Sequence, residues 1–256
     1  MSLGSNIILP NVRRFFKPDP GYILFDVDLA GADAQIVAWE ADDEPLKEAF
    51  RAHAAGKGPK VHCVNAKAIF GAKAGPDGKV EPYYSRAKAG VHATNYGAKA
   101  RTLAAALSCS VGEAEQFQSD WFRAHPAIRE WHERTQRNLE TTRSVRNAFG
   151  FVRTYFDRIE NLLPEALAWV PQSTVAIIID TAYNRITDTL PDIDILLQVH
   201  DSLVGQCPIE LWPQRKKQIR ECLEVVVPYA DPLIVPTGLQ TSRVSWGDVQ
   251  GEAWDA

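Results

Sequence analysis

Two strand-like runs of apolar residues lie far apart in the chain. The first, Tyr22–Asp28, is rich in apolar and β-branched side chains and follows a turn at residues 18–21 that contains Pro and Gly. The second, Asp194–Pro208, predicts two strands on either side of a tight turn at His200 and Asp201. We therefore expect these distant segments to pair in one small antiparallel sheet.

Helical periodicity dominates the residues between these runs. Apolar residues recur three or four positions apart, and Pro126 predicts a break. Residues 146–155 predict a short hairpin, and residues 232–246 predict a mostly extended tail. The predicted helices cover residues 33–53, 61–70, 84–97, 111–143, 164–190 and 210–226. The pattern indicates an α+β fold, with helices on one face of the sheet and a helical subdomain inserted into it.

The composition is that of a globular chain without a strong charge bias. The 256 residues carry a net charge of −4, and the pI is near 5.9. A protein that binds nucleic acid only by neutralising phosphates would be more basic. The four cysteines form no C-x-x-C pair, which argues against structural zinc and a disulfide framework and favours a reducing, cytoplasmic location. We expect no membrane association, because no apolar run can span a bilayer and Met1–Ser5 does not open a signal peptide.

One predicted helix places three chemically useful side chains on the same face. Lys88, His92 and Tyr96 are spaced four residues apart, and Gly97 provides a place for the helix to end. A cation, an imidazole and a phenol can together hold a triphosphate, a base and a sugar. Taken alone, the same stripe is also typical of an ordinary solvated helix face.

Two aspartates lie where the predicted strands end. Asp28 closes the first strand, and Asp201 lies in the hairpin turn. If the strands pair, two carboxylates at one end of a sheet suit Mg²⁺ or Mn²⁺, and two such ions support an in-line displacement. Either aspartate by itself could be a cap or turn residue. Asp26 competes with Asp28, because both side chains point to the same side of the strand.

Several segments together resemble the polymerase core of family A DNA polymerases, the bacterial DNA polymerase I class. Asp28–Ala38 resembles motif A, Lys88–Gly97 the motif B helix, and Leu197–Asp201 motif C. Gly58–His62 resembles the segment whose histidine contacts the incoming phosphates, and Pro171–Thr174 resembles the helix that touches the minor groove of the primer-template. These segments follow the family's order and spacing, and the similarity covers most of the chain.

The resemblance implies two bound Mg²⁺ or Mn²⁺ ions and a triphosphate site. Asp28 and Asp201 would bridge the ions, and the carbonyl of Leu29 could add a ligand. Lys88 would contact the triphosphate and protonate the leaving pyrophosphate, and His62 would hydrogen-bond a phosphate oxygen. Lys88 and His62 each have an alternative interpretation as solvated helix residues.

The resemblance also implies a sugar gate and contacts with DNA. Tyr96 would stack near the templating position and, with Asp33, close off the 2′ side of the incoming sugar. Asp33 is one methylene shorter than the family's usual Glu, which predicts weaker rejection of ribonucleotides. His92 replaces a Phe or Tyr, and it can stack on a base or simply pack on the helix. The candidates for DNA contact are Arg13, Gly97, Gln172 and His200.

Two further departures from the family pattern concern charged groups. Tyr84 occupies the position of an arginine four residues before Lys88. Arg86 lies about 200° further round the helix and cannot simply replace that arginine, so Lys99 or Arg101 are the candidates for compensation. Ser202 replaces the glutamate that usually follows the motif C aspartate. We expect these changes to weaken or retune the chemistry without abolishing it.

The resemblance implies a palm made of residues 1–57 and 161–256 around fingers at 58–160. The family's thumb and exonuclease domain precede motif A, where this chain has 27 residues before Asp28. We therefore expect weak processivity for the chain alone and a separate thumb, exonuclease or processivity partner. The expected substrates are primer-template DNA and dNTPs. The alternatives are an RNA polymerase-like nucleotidyltransferase and a non-catalytic or partner-dependent DNA-binding module, which Tyr84 and Ser202 keep open.

Overall fold

The computed structural model describes residues 11–156, 158 and 161–255, and the chain divides into two units. The segment Met1–Ser5, for which the sequence analysis predicted no signal peptide, lies outside the described residues. The first unit contains Met1–Ala30, Ile178–Val225 and Ile234–Ala256, and the second contains Gly31–Ile177 and Val226–Leu233. In the described part of the chain, no helix has the length and apolar character that a membrane span requires.

The strands confirm the predicted antiparallel sheet. They are β1 (Tyr22–Leu29), β2 (Ser144–Arg146), β3 (Val152–Thr154), β4 (Asp194–Val199), β5 (Ser202–Pro208), β6 (Val226–Val227), β7 (Leu233–Ile234), β8 (Thr237–Ser242) and β9 (Gln250–Gly251). The sheet of the first unit has the order β4-β5-β1-β8-β9, and each neighbouring pair is antiparallel. In the second unit β2 and β3 form the predicted short hairpin. The predicted tail contributes β8, which pairs with β1.

The helices largely follow the sequence pattern. They are α1 (Ala32–Ala41), α2 (Glu44–Ala54), α3 (Val61–Phe70), α4 (Tyr83–Asn95), α5 (Ala100–Leu107), α6 (Val111–Ala124), α7 (Pro126–Thr142), α8 (Leu163–Thr189) and α9 (Trp212–Leu223). The single helix predicted for residues 33–53 is wrong. Asp42 adopts a left-handed φ of 57°, and the Asp43 side chain accepts a hydrogen bond from the backbone of Leu46, so α1 ends and α2 begins there. Helix α5 has no counterpart among the predicted helices.

The sheet is fixed by apolar packing on β1. Leu24, Phe25 and Val27 are fully buried, and Phe25 stacks on Trp212 of α9 with ring centroids 5.7 Å apart. Burial of each large side chain stabilises the fold by about 1.5–3 kcal/mol. The middle of β1 is therefore held firmly, and this positions the last residues of the strand.

The end of helix α4 is held by one buried amide. The Asn95 side-chain oxygen accepts a hydrogen bond from Trp121 Nε1 at 2.9 Å, and its backbone oxygen lies 2.9 Å from His132 Nε2. Trp121 and His132 belong to α6 and α7. Because Asn95 is only 4% exposed, these two contacts connect the C-terminal end of α4 to the interior of the second unit.

Candidate active site

The backbone brings Asp28 and Asp201 to neighbouring positions at one end of the sheet. Asp28 is paired with Ser202 in the register between β1 and β5. The backbone N–H of Leu29 donates to the carbonyl oxygen of Asp201 at 3.0 Å, which extends this pairing into the turn. Asp28 is exposed, and Asp201 is half-buried. Two residues predicted from distant segments thus lie side by side.

The turn that carries Asp201 has the predicted position and a special backbone conformation. His200 and Asp201 alone separate β4 from β5, and His200 has a left-handed φ of 55°. The His200 side chain is exposed. A two-residue connection fixes the register of the two strands, so Asp201 has a defined place at the tip of the hairpin.

The structure distinguishes Asp26 from Asp28. The Asp26 carboxylate accepts a hydrogen bond from Trp246 Nε1 at 2.6 Å. The guanidinium of Arg13, one of the residues predicted to contact DNA, lies over the Trp246 ring at 4.4 Å from its centroid. Asp26 therefore orients Trp246 beneath an exposed arginine, and Asp28 is more exposed than Asp26.

The donor atoms at this end of the sheet fit a hard divalent cation. Two carboxylates, from Asp28 and Asp201, and the nearby backbone of Leu29 offer only oxygen ligands. Mg²⁺ is commonly bound by one or two carboxylates and completed by water and substrate phosphates. Within the described residues, no group of three or more His, Cys, Asp or Glu side chains could hold a metal by itself. Water molecules or substrate oxygens would complete the coordination of a metal bound to these two carboxylates.

In the second unit, α3 and α4 bring His62, Lys88 and His92 together. Burial is the main cause that lowers the pKa of His62 to about 4, and the positive charges of Lys88, His92 and Lys60 lower it further. His62 Nδ1 is buried and has no hydrogen-bond partner within the described part of the chain. The neutral imidazole of His62 and the exposed ammonium group of Lys88 therefore lie near each other. A bound anion there would stabilise positive charge on both groups.

The same face of α4 continues through His92 to Tyr96 and Asp33. The rings of His92 and Tyr96 are 4.3 Å apart, with an angle of 58° between their planes. Burial raises the pKa of the Tyr96 hydroxyl, and the neighbouring Asp33 carboxylate raises it further. The structure thus brings Asp33, from the first turn of α1, beside Tyr96 at the end of α4. These are the two residues predicted to form the sugar gate.

Gly97 and Gln172, two of the predicted DNA contacts, differ in their surroundings. Gly97 has a left-handed φ of 71° and follows Tyr96, the C-cap of α4, so the helix ends just before this glycine. A side chain at this position would also approach Leu167 of α8 to 3.0 Å. Gln172 is exposed on α8 and follows a buried proline. Gly97 is therefore required by the backbone, while the amide of Gln172 remains accessible.

The substituted positions of motif B face different environments. Tyr84 is half-buried, and burial raises the pKa of its hydroxyl. Arg86 lines a cavity of about 730 Å³ together with Cys109 and Phe117. Arg86 thus lines a cavity together with residues of α3, α5 and α6.

Three residues that position the candidate site were not singled out by the sequence. They are Asn95, which holds the end of α4, Trp246, which binds Asp26, and Gly238, which lies opposite Asp28 in β8. Asn95 immediately precedes the motif B Tyr-Gly pair, so the sequence shows that it lies at the end of the helix. The sequence does not show its buried partners, Trp121 and His132. Gly238 lies in a segment whose pairing with β1 could not be read from periodicity.

Comparisons with known proteins agree with this arrangement. The family model for DNA polymerase family A matches residues 6–247. The chain is 29% identical over 238 residues to the thermostable DNA polymerase I of Thermus filiformis, covering 89% of this chain and 28% of that protein. It is 24% identical over 240 residues to a DNA polymerase of Mycobacterium phage D29, covering 94% of this chain and 37% of that protein.

A solved structure has the same fold. The POL domain of Pol1 from M. smegmatis, in complex with DNA primer-template and dNTP, matches with a TM-score of 0.79 and 23% identity, covering 93% of this chain and 42% of that chain. Fold and sequence thus define a polymerase-type domain. The chain belongs to DNA polymerase family A. It spans between 28% and 42% of the length of these relatives.

Proposed function

We propose that this chain is the palm and fingers core of a template-directed DNA polymerase that adds dNTPs to a primer 3′-OH. The observation that carries the proposal is the pairing of Asp28 with the Asp201 turn in a member of this family. The division into palm (1–57 and 161–256) and fingers (58–160) is part of the proposal. The proposal also includes primer-template DNA and dNTPs as substrates. It further includes a separate thumb, exonuclease or processivity partner.

In this proposal Asp28, Asp201 and the Leu29 carbonyl hold two Mg²⁺ or Mn²⁺ ions. Such ions, when bound, activate the attacking 3′ oxygen and stabilise the leaving oxygen. Lys88 compensates charge on the triphosphate and holds a proton for the departing pyrophosphate. His62 donates a hydrogen bond to a phosphate oxygen, which requires the imidazole N–H to face the nucleotide.

The remaining residues orient the substrates. Tyr96 and Asp33 border the 2′ side of the sugar, and His92 packs against the nucleotide from its place beside the Tyr96 ring. Gln172 donates to minor-groove acceptors. The other DNA contacts are proposed for Arg13, Gly97 and His200.

Primer extension with Mg²⁺ or Mn²⁺ tests the proposal. Asp201→Ala and Asp28→Asn should each lower the rate about 10³-fold or more, because two-metal stabilisation contributes several kcal/mol. Asp188→Asn, an exposed change in the same unit, should leave the rate unchanged, and Asp26→Asn should retain activity. Extension that persists in Asp201→Ala would contradict the assignment. Preferential incorporation of ribonucleotides would favour an RNA polymerase-like enzyme.

A further inference from the structure

Gly238 lies directly beside the carboxylate of Asp28. The two residues are register partners between β1 and β8. A Cβ atom built on Gly238 would lie 2.4 Å from Asp28 Oδ1, 3.3 Å from its Cγ and 3.6 Å from its Oδ2. The carboxylate therefore occupies the space that any side chain at position 238 would need.

The backbone does not require glycine at this position. Gly238, a described residue, does not have a positive φ, so an L-amino acid fits its backbone conformation. The three nearest atoms to the added Cβ all belong to the Asp28 carboxylate, which is the far end of a side chain and not backbone. At Gly205, in contrast, an added Cβ would meet the buried ring of Phe25 at 2.4 Å and a backbone oxygen at 2.8 Å. A methyl group at position 238 would therefore displace the carboxylate while the strands stay in place.

The register partner of Asp28 on its other side, Ser202, uses its hydroxyl within the hairpin turn. Ser202, the register partner in β5, donates its hydroxyl hydrogen to the carbonyl oxygen of Val199 at 3.0 Å. The Ser202 hydroxyl thus stabilises the hairpin turn. At the other strand partner, the missing side chain of Gly238 leaves the space in which the Asp28 carboxylate lies.

We propose that Gly238 is a positioning residue for the metal-binding carboxylate of Asp28, because its missing side chain keeps open the place where that carboxylate lies. This inference rests on the proposed function, since it assumes that Asp28 binds metal. Mg²⁺ needs nearly ideal octahedral geometry, whereas Ca²⁺ accepts variable geometry and ligand number. A displaced carboxylate should accordingly weaken Mg²⁺ binding more than Ca²⁺ binding.

The test is metal binding by the whole chain without DNA or nucleotide. Free Mn²⁺ is measured by electron paramagnetic resonance, and bound Mn²⁺ is then displaced with Mg²⁺ or Ca²⁺. Gly238→Ala should weaken Mg²⁺ binding about tenfold, as changes around metal ligands commonly do, with a smaller loss for Ca²⁺. Gly251→Ala is the matched control, because a Cβ on this glycine in the same sheet meets nothing within 4 Å.

Asp28→Asn separates this inference from the proposed function. If Asp28→Asn leaves Mn²⁺ binding unchanged, Asp28 is not a metal ligand and the proposed metal site is wrong. If Asp28→Asn loses binding while Gly238→Ala binds Mg²⁺ as well as the unmodified chain or better, the role of Gly238 is overturned. Thermal unfolding of each variant establishes that the fold persists. Gly238→Ser, which fills the same space, replaces Gly238→Ala if that variant does not fold.

Discussion

At the scale of single residues, the proposed function assigns the pair Asp33 and Tyr96 to the 2′ side of the nucleotide sugar. Burial and the Asp33 carboxylate both keep the Tyr96 hydroxyl protonated, so it can act as a hydrogen-bond donor. The shorter side chain of Asp33, compared with the family's usual Glu, should leave room near the 2′ position. This gap has the size of one methylene group, which is worth about 10–200-fold in specificity.

Asp33→Glu should therefore increase the preference for deoxynucleotides about tenfold. The measurement is the ratio of kcat/KM for a dNTP to that for the matching rNTP in single-nucleotide extension. Glu48→Asp, an exposed change on α2, is the control for an unrelated methylene change. A strong deoxy preference in the unmodified chain, unchanged by Asp33→Glu, would show that this pair does not gate the sugar.

His62 provides a second prediction at the residue scale. Lys88→Met should raise the pKa of His62 above its value of about 4, because the Lys88 charge contributes to the lowering. The pKa should stay below 6.5, since burial is the larger cause. Nuclear magnetic resonance titration of the imidazole measures this shift. Lys67→Met, which removes another exposed cation from α3, should leave the pKa of His62 in place.

The same lowered pKa has a consequence for stability. Between pH 6.5 and about 4 the unfolded chain binds a proton that the folded His62 does not bind. Stability therefore falls as the pH decreases through this window. A triphosphate beside His62 would favour the protonated imidazole, so nucleotide binding should be accompanied by proton uptake in the same range.

At the scale of secondary-structure elements, the sequence predicted the site-bearing segments well. Strand β1, the β4–β5 hairpin and helices α3 and α4 lie within one or two residues of their predicted positions. Each has a strong local signal, either a β-branched run or a helix with a glycine at its end. The break at Asp42 was missed because its left-handed φ and the Asp43 cap depend on two short polar residues inside a continuous apolar pattern.

Helix α4 should depend on Asn95 for its stability. Asn95→Ala leaves the buried Trp121 Nε1 without its acceptor, which should lower the free energy of unfolding by about 1–3 kcal/mol. Urea denaturation measures the change. Gln116→Ala removes an exposed contact with Asp120 on α6 and should change stability by less than about 0.5 kcal/mol. Equal effects of the two variants would mean that Asn95 does not anchor α4.

At the scale of the whole molecule, motif order identified the fold class but not the supporting contacts. Asp28, Asp201 and Lys88 could be proposed as site residues because each lies in a segment that resembles a family motif, and their roles stay predictions. Gly238 could not, since its role arises from the pairing of β8 with β1 across more than two hundred residues of sequence. Periodicity describes which face of an element is apolar, and it carries no information on which strand lies next to it.

At the same scale, we expect this chain to bind DNA only weakly. Phosphate contacts dominate affinity for nucleic acid, yet the chain has a net charge of −4 and spans only 28% of the Thermus filiformis polymerase. We expect the 256-residue chain by itself to bind primer-template weakly, with affinity that falls steeply as salt rises. Extension in the presence of a heparin trap, which limits each enzyme to one binding event, should add only a few nucleotides. Asp201→Ala gives the background of this assay. Long products from single binding events would show that the residues present here hold the duplex without further domains.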